Sequence, residues 1–213
     1  MFRNAKWIAL LLAMALCLGP AMAQDAERPE PNEDEGWVSL FNGEDLTGWR
    51  HARNPEGENH WFVDDGLLTN DPDQNDLATE DEWRDFELLY EYRTVPGGNS
   101  GVYLRGRVEI QVLDSSGAEE PGPNDDGAIY NIHAPAVLAS NPIGEWNEAY
   151  VRYVDNEVTV VLNGHVIHDE AEVNDVTGGA LPGGVNDPGP IMLQGDHGKV
   201  WYRNLYIRSL DEE

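Results

Sequence analysis

The sequence predicts an all-β protein, and two observations carry this prediction. Short stretches rich in branched and aromatic residues alternate apolar with polar positions, and turns containing Gly, Asn or Asp separate them. No stretch of the 213 residues keeps a helical period over several turns. Many short strands joined by such turns are typical of an antiparallel sandwich or barrel.

Residues 1–23 have the features of a cleaved secretory signal. Arg3 and Lys6 precede an apolar run, Trp7–Leu18, and Ala21-Met22-Ala23 supplies the small residues that a signal peptidase needs. The run is short for a membrane span, so a retained anchor is the weaker alternative. We therefore expect an exported protein, either periplasmic or extracellular.

Residues 24–35, QDAERPEPNEDE, are rich in proline and acidic residues and have no apolar periodicity. Such a composition buries too little apolar surface to fold, which predicts an acidic, disordered linker. The β-sandwich domain is therefore expected over residues 36–213. Because Cys17, the only cysteine, lies in the predicted signal, this domain must be stabilised by its core rather than by disulfides.

The charge of the chain limits its partners. Forty acidic residues outnumber 13 basic ones, which gives a formal net charge of −27. A surface of this sign repels polyanions, so nucleic acid and an anionic membrane are excluded as partners. No serine or cysteine nucleophile motif, phosphate loop or dinucleotide fingerprint is present either.

The predicted strands follow one another from Trp37. A first hairpin turns at Asp64-Asp65-Gly66, because Asp-Gly favours positive φ. A long alternating strand begins at Phe86, and a later three-strand meander turns at Asp155-Asn156 and at Asn163-Gly164. In chain order the stretches are WVSLF, HWFVDDGLLTN, DFELLYEYRTV, SGVYLRG, RVEIQVLD, AYVRYVDNEVTVVLNGHVIHD and VWYRNLYIRSL.

Two long connections interrupt this pattern. Ser115–Gly127 and Glu170–Pro190 are rich in Gly, Pro and Asp. Loops of that length are usually either functional or mobile.

Two neighbouring strands are expected to share a polar face. In residues 106–114 one parity holds Val108, Ile110 and Val112, and the other holds Arg107, Glu109 and Gln111. In the preceding strand Val102 and Leu104 alternate with Tyr103 and Arg105. The apolar face must pack on the second sheet, so the polar face points away from the core. Tyrosine with amide, carboxylate and guanidinium groups suits a sugar, and a solvated outer surface explains the pattern equally well.

The turn Gln194-Gly195-Asp196-His197-Gly198 is a second candidate. Histidine titrates near neutrality, so His197 could act as a base or bind a metal. On this motif alone, a tight turn with an exposed histidine is the better interpretation.

Several stretches, taken together and in order, resemble the 3-keto-disaccharide hydrolase domain family. They are GWVSLFNGEDLTGW, DFELLYEYRTVPGGNSGVYLRG, VEIQVLD, GAIYNIHAPAVLASNPIGEWNEAYVRYVDNEVTVVLNG and QGDHGKVWYRNLYIRSL, and they span roughly residues 36–210. The resemblance implies a concanavalin A/laminin-G-like jelly-roll β-sandwich. It also implies cleavage of oligosaccharides or glycosides that are already oxidised to a ketone at C3 of the sugar.

The resemblance also suggests which polar residues matter. The matching positions are Asn99, Arg105, Glu109, Gln111, Tyr130, Glu145, Trp146, Asn147, Gln194, His197, Arg203 and Asn204. Trp146, Arg203 and Asn204 are expected to be structural. Substrate contacts are expected from Asn99, Tyr103, Arg107, Gln111, Tyr130 and Gln194, although family members often have Gly-Met where this chain has Gly106-Arg107.

The implied chemistry assigns roles to the remaining three residues. A ketone at C3 acidifies the C2 proton, so a base can remove it, the C1 oxygen can leave, and water can add back. The hypothesis gives His197 the role of base and Glu109 that of acid/base partner or metal ligand. Arg105 would stabilise the enolate, with or without a divalent cation. A non-catalytic carbohydrate-binding module and an interaction domain are the alternatives, and the His197–Glu109 pair discriminates between them.

Overall fold

The structure is a computed structural model that describes residues 25–26 and 28–211. The predicted signal, residues 1–23, lies outside the described residues. The strands are β1 (Val38–Ser39), β2 (Trp49–His51), β3 (Trp61–Asp64), β4 (Leu67–Asn70), β5 (Leu77–Thr79), β6 (Phe86–Thr94), β7 (Asn99–Leu104), β8 (Val108–Leu113), β9 (Asn147–Val154), β10 (Glu157–Leu162), β11 (His165–Glu172), β12 (Met192–Leu193) and β13 (Val200–Ser209). The predicted all-β class is therefore confirmed.

The strands form two antiparallel sheets. The larger sheet has eight strands in the order β11-β10-β9-β6-β13-β4-β3, with β1 also paired to β13. The smaller sheet has five strands in the order β2-β5-β12-β7-β8. Strands that are distant in sequence, such as β5 and β12, become neighbours, and this crossing of connections brings separate segments to one surface.

The turns form where the sequence predicts them. The hairpin β3–β4 turns at Asp65 and Gly66, whose φ values are 50° and 75°. The meander of β9, β10 and β11 turns at Asp155 and at Asn163-Gly164, and the φ values of these three residues are 50°, 49° and 81°. Gly, Asn and Asp tolerate this left-handed conformation better than other residues, which is why these turns are legible in the sequence.

The main core lies between the two sheets. Val102, Leu104, Val108, Ile110 and Val112 all face into it, as their alternation predicts. They meet apolar and aromatic side chains of the larger sheet, among them Phe86, Leu88, Tyr90, Val151 and Tyr202. Full burial of such a side chain contributes about 1.5–3 kcal/mol, so this layer stabilises the domain without disulfides.

The outer face of the smaller sheet is covered as well. Ala52, Ala78, Tyr103 and Met192 form a second buried cluster there, with Leu181 packed against them. Leu181 belongs to the long loop between β11 and β12, residues 173–191, which crosses this face. The loop is anchored to the β7–β8 turn, where the Leu181 amide donates to the Gly106 carbonyl at 2.8 Å. The loop therefore covers part of this outer face.

The described part of the predicted linker contacts the larger sheet. It has a short 3-10 helix at Glu33–Glu35, and Asp25 forms an isolated β-bridge with His165. Arg28 approaches Glu91 at 3.8 Å and Glu148 at 3.7 Å. Across residues 25–26 and 28–211, no helix is long and apolar enough to span a membrane.

Candidate active site

A cavity of about 240 Å³ opens on the outer face of the smaller sheet. Residues from seven separate segments of the chain line it. They are Arg53, Asp76, Asn99, Tyr103, Glu109, Gln111, Tyr130, Gly178, Gly179, Gln194, Asp196 and His197. Seven of the nine residues expected to act in catalysis or substrate binding are in this set.

The floor of the cavity is the β7–β8 pair. In its register Tyr103 lies opposite Glu109 and Gly101 lies opposite Gln111, so these side chains share one face. Glu109 is only 3% exposed and Gln111 only 4%. Gly101 makes room for the carboxyl group, because a Cβ there would lie 2.3 Å from the Glu109 Oε1 atom.

Glu109 has a perturbed acidity. Burial of the carboxyl group raises its pKa from 4.5 to about 7, because the charged form loses its hydration. The Tyr103 hydroxyl, which donates to Glu109 Oε2 at 2.9 Å, and the nearby His197 oppose this rise in pKa, while Asp76 and Asp196 add to it. A carboxyl group with this pKa can both give and take a proton near neutral pH.

His197 lies at the mouth of the same cavity. Its Nδ1 atom is 2.5 Å from Asp196 Oδ1, and both side chains are about half exposed. Because a carboxylate only accepts, Nδ1 carries the proton in this contact, which leaves Nε2 of a neutral ring free to accept one.

Two backbone hydrogen bonds fix the loop that carries His197. The Gln194 amide donates to the Gly101 carbonyl at 2.9 Å, and the Gly198 amide donates to the Asn99 carbonyl at 2.8 Å. Gly198 is required for this approach, since a Cβ there would lie 2.6 Å from the Asn99 amide nitrogen. The loop is therefore held against β7, beside the floor residues.

Asp76 and Arg53 complete the wall, and the sequence does not predict either of them. Asp76 is 7% exposed, and its Oδ1 accepts from the Gly195 amide at 3.1 Å. Burial is the main cause that raises its pKa. Arg53 Nη2 lies 3.6 Å from Asp76 Oδ2 and donates to the Gly179 carbonyl at 2.5 Å. Asp76 ends an acidic stretch that begins at Asp71, and nothing in that composition distinguishes it.

Two buried acceptors lie in the cavity wall. Within the described part of the chain, Asn99 Oδ1 and Gln194 Oε1 are buried and have no hydrogen-bond partner in the protein. An unpaired buried acceptor is costly unless a ligand or water satisfies it. A ligand with hydroxyl groups would supply the missing donors.

Arg105 is not placed as expected. Its side chain is fully buried, and its guanidinium lies over the Tyr153 ring at 3.7 Å. Its donors are used by the Arg84 and Asp155 carbonyls and by Asp85 Oδ1, at 2.5, 2.9 and 3.0 Å. Because none of these groups lines the cavity, Arg105 is corrected from an enolate stabiliser to a structural residue.

Arg107 is also outside the cavity. Its guanidinium donates to the Pro182, Arg105, Asp187 and Pro188 carbonyls, at distances from 3.0 to 3.3 Å. The expected substrate contact is therefore replaced by a role in shaping the loop over residues 173–191. Tyr130, in contrast, lines the cavity, and its amide donates to the Glu109 carbonyl at 3.0 Å.

The three residues expected to be structural form one cluster on the larger sheet. Arg203 Nε and Asn204 Nδ2 each donate to Glu91 at 2.7 Å. The Arg203 guanidinium lies 4.0 Å from the centre of the Trp146 ring. This cluster is on the sheet opposite the cavity.

A metal ion does not fit the donor set. Over residues 25–26 and 28–211, no group of three or more His, Cys, Asp and Glu side chains is arranged to hold one. The acidic residues of the cavity are instead engaged by different partners, Glu109 by Tyr103, Asp76 by Gly195 and Arg53, and Asp196 by His197. A role for Glu109 as a metal ligand has no support in this geometry.

Comparisons with known proteins agree with the fold. The sequence model of a family described as the 3-keto-alpha-glucoside-1,2-lyase-like domain matches residues 36–208. A 3-keto-disaccharide hydrolase of Bacteroides thetaiotaomicron is 25% identical, and the alignment covers 85% of this chain and 81% of that protein.

Two crystal structures of candidate glycosyl hydrolases from Parabacteroides distasonis are also similar. One has a TM-score of 0.72 at 25% identity and covers 88% of this chain and 100% of that chain. The other has a TM-score of 0.70 at 28% identity and covers 82% of this chain and 84% of that chain. The fold is therefore shared with structures described as glycosyl hydrolases.

Proposed function

This chain belongs to the 3-keto-alpha-glucoside-1,2-lyase-like family, and from that premise we propose that it cleaves the glycosidic bond of 3-keto-glycosides. Membership makes it a carbohydrate-active protein of the glycosidase type. The finer proposal is that its substrate is an oligosaccharide or glycoside carrying a ketone at C3. Export, expected from residues 1–23, is part of the proposal, and N-terminal sequencing of the secreted protein tests it.

The proposed reaction is an elimination followed by hydration. The C3 ketone acidifies the C2–H bond, a base takes that proton, and an enolate forms. The C1–O bond then breaks, and the leaving oxygen takes a proton from an acid. Water adds across the C1–C2 double bond, with its hydroxyl on C1 and a proton on C2, so that the net change is hydrolysis. This sequence needs a base, an acid and a stabiliser of the enolate.

The cavity offers one group for each role. His197, whose Nδ1 is engaged by Asp196, is the base. Glu109, with a pKa of about 7, is the acid that protonates the leaving oxygen and recovers its proton during hydration. Arg53, the one guanidinium among the described residues that line the cavity, takes the role of enolate stabiliser that Arg105 was expected to have.

The observation that carries the proposal is the pairing of a buried carboxyl group with a His–Asp pair in one cavity. A site that only binds sugar has no need of a carboxyl group whose pKa is raised to about 7. The unpartnered oxygens of Asn99 and Gln194 add acceptors suited to sugar hydroxyls.

The test compares 3-keto-trehalose or 3-keto-glucosides with the same sugars unoxidised. We expect release of product only from the keto forms, and exchange of C2–H for deuterium when the reaction runs in deuterium oxide. Glu109→Gln and His197→Asn should each lower kcat/KM by about 10²–10⁴-fold, the usual contribution of a general acid or base.

Glu87→Gln is the matched control, because Glu87 is also a buried carboxylate that accepts from a tyrosine but lies on the larger sheet. It should retain turnover. Binding of unoxidised glycan without turnover of any keto sugar would instead identify the protein as a carbohydrate-binding module.

A further inference from the structure

The Tyr103 hydroxyl has more acceptors than it can serve. It lies 2.9 Å from Glu109 Oε2 and 2.9 Å from the Gly178 carbonyl, and Gln194 Nε2 can donate to it at 3.5 Å. The side chain lines the cavity but is only 1% exposed, and its hydroxyl is already engaged by groups of the protein. A phenol has one proton, and only one of the two acceptors can receive it at a time.

The charge of Glu109 decides which acceptor receives this proton. An ionised carboxylate is a stronger acceptor than a peptide carbonyl, so Tyr103 then donates to Glu109. A protonated Glu109 can itself donate to the tyrosine oxygen, and the phenol proton is free to bond Gly178. The two protonation states therefore have different hydrogen bonds to the loop over residues 173–191.

We propose that Tyr103 is a positioning residue that couples the protonation of Glu109 to the attachment of this loop. With Glu109 protonated, a chain of donors runs from Glu109 through Tyr103 to Gly178 and holds the loop at the cavity wall. With Glu109 ionised, the Gly178 carbonyl loses its donor. The coupling is a property of the free protein, and only its catalytic consequence rests on the proposed function.

The other attachments of the loop do not involve Glu109's proton. The Thr177 amide and hydroxyl both donate to the Arg107 carbonyl, and the same hydroxyl accepts from the Glu109 amide. The Arg53 guanidinium donates to the Gly179 carbonyl. The charged and titratable groups that face Glu109 from other segments are Asp76, Asp196 and His197. The Gly178 contact is therefore the part of the loop's attachment that should change when Glu109 titrates.

The coupling has a consequence for turnover. In the acid form, ready to protonate a leaving oxygen, the loop is held against the bound sugar. Once Glu109 has given up its proton, the Tyr103 hydroxyl turns to the carboxylate and the wall loosens, which favours release of the leaving group. Loop opening of this kind often limits turnover.

The first test follows the titration of Glu109 by carboxyl ¹³C NMR in the substrate-free protein. Tyr103→Phe removes the donor that favours the ionised form, so the Glu109 midpoint should rise by about one pH unit. Tyr150→Phe is the matched control, since the Tyr150 hydroxyl donates to Glu87 at 2.6 Å on the other sheet. An unchanged Glu109 midpoint in folded Tyr103→Phe would overturn the proposal.

The second test measures amide hydrogen exchange in residues 177–181 and stands even if Tyr103→Phe does not fold. After correction for intrinsic rates, wild-type protection should fall roughly threefold or more as the pH rises through the Glu109 midpoint. Glu109→Gln cannot ionise and should show no such fall. Identical pH dependence in both proteins would overturn the coupling. Neither test uses substrate, so failure of the proposed enzymatic function would not mimic failure here.

Discussion

Glu109 owes its environment to a missing side chain on the neighbouring strand. Gly101 lies on the same face of the β7–β8 pair, and the carboxyl group occupies the space that its Cβ would fill. The carboxyl group is thereby buried at 3% exposure while still lining the cavity. Burial is what raises its pKa, so one glycine indirectly sets the acidity of the proposed catalytic acid.

Asp76 lines the cavity but has no proposed role in proton transfer, so its substitution tests substrate binding rather than the chemical step. Its carboxylate lies near Arg53 and can accept hydrogen bonds from sugar hydroxyls. Asp76→Asn should raise KM for the keto sugar by about 10-fold, the loss of one charge-assisted hydrogen bond, and should leave kcat within about threefold. Steady-state kinetics measure both values. A large fall in kcat with unchanged KM would show that Asp76 takes part in the chemical step.

At the scale of elements, the loop over residues 173–191 is organised around one guanidinium. Arg107 Nη1 and Nη2 reach carbonyls on both arms of the loop, including Pro182 and Pro188. Gly183 and Gly189 allow this approach, because a Cβ at either position would lie within 2.7 Å of the guanidinium. The loop in turn supplies Gly178 and Gly179 to the cavity wall.

Arg107→Lys should therefore loosen this loop while keeping the charge. A lysine ammonium has three donors on a flexible stem and cannot reproduce the planar fork of an arginine. We expect a loss of about 1–3 kcal/mol in the free energy of unfolding and faster exchange of the loop amides. Urea unfolding and hydrogen exchange measure the two effects. Arg152→Lys on β9 is the control, and equal effects of the two substitutions would contradict the assigned role.

Sequence alternation predicts much of the floor but not the wall. Glu109, Gln111 and Tyr103 were assignable to one face because a strand has a period of two. Arg105 follows the same parity, yet it has φ 51° at the β7–β8 turn, where alternation no longer holds. Asp76 and Arg53 reach the cavity only through the pairing of β2, β5 and β12, which local patterns do not contain.

At the scale of the whole molecule, the site occupies the outer face of the smaller sheet, and the apolar layer between the sheets is left for stability. The loop over residues 173–191 and the segment containing Arg53 cover that outer face and supply the wall. This division lets the site carry buried carboxyl groups without interrupting the core. Those carboxyl groups still affect the stability of the entire domain, because their protonation is linked to folding.

Glu109 links its protonation to folding in a defined direction. The folded-state pKa of Glu109 is raised from 4.5 to about 7, so the folded protein binds its proton more tightly than the unfolded chain does. Its contribution to stability is complete below pH 4.5 and is lost as the pH rises through 7. Asp126, with a pKa raised to about 6 by burial, acts in the same direction. Burial lowers the pKa of His168 to about 4, so this residue acts in the opposite direction. The stability that neutral His168 contributes to the protein is lost as the pH falls from 6.5.

Glu109→Gln isolates one of these contributions, because the neutral amide can still accept from Tyr103. Near pH 4 the variant and the wild type should unfold at similar temperatures. At about pH 8 the variant should be more stable by up to roughly 3 kcal/mol, which corresponds to several degrees in Tm for a domain of this size. Thermal unfolding of both proteins across this range measures the difference. The substitution expected to lower turnover would then stabilise the fold, as is common for residues kept for function. A Tm difference independent of pH would instead show that ionised Glu109 imposes no cost on the folded state.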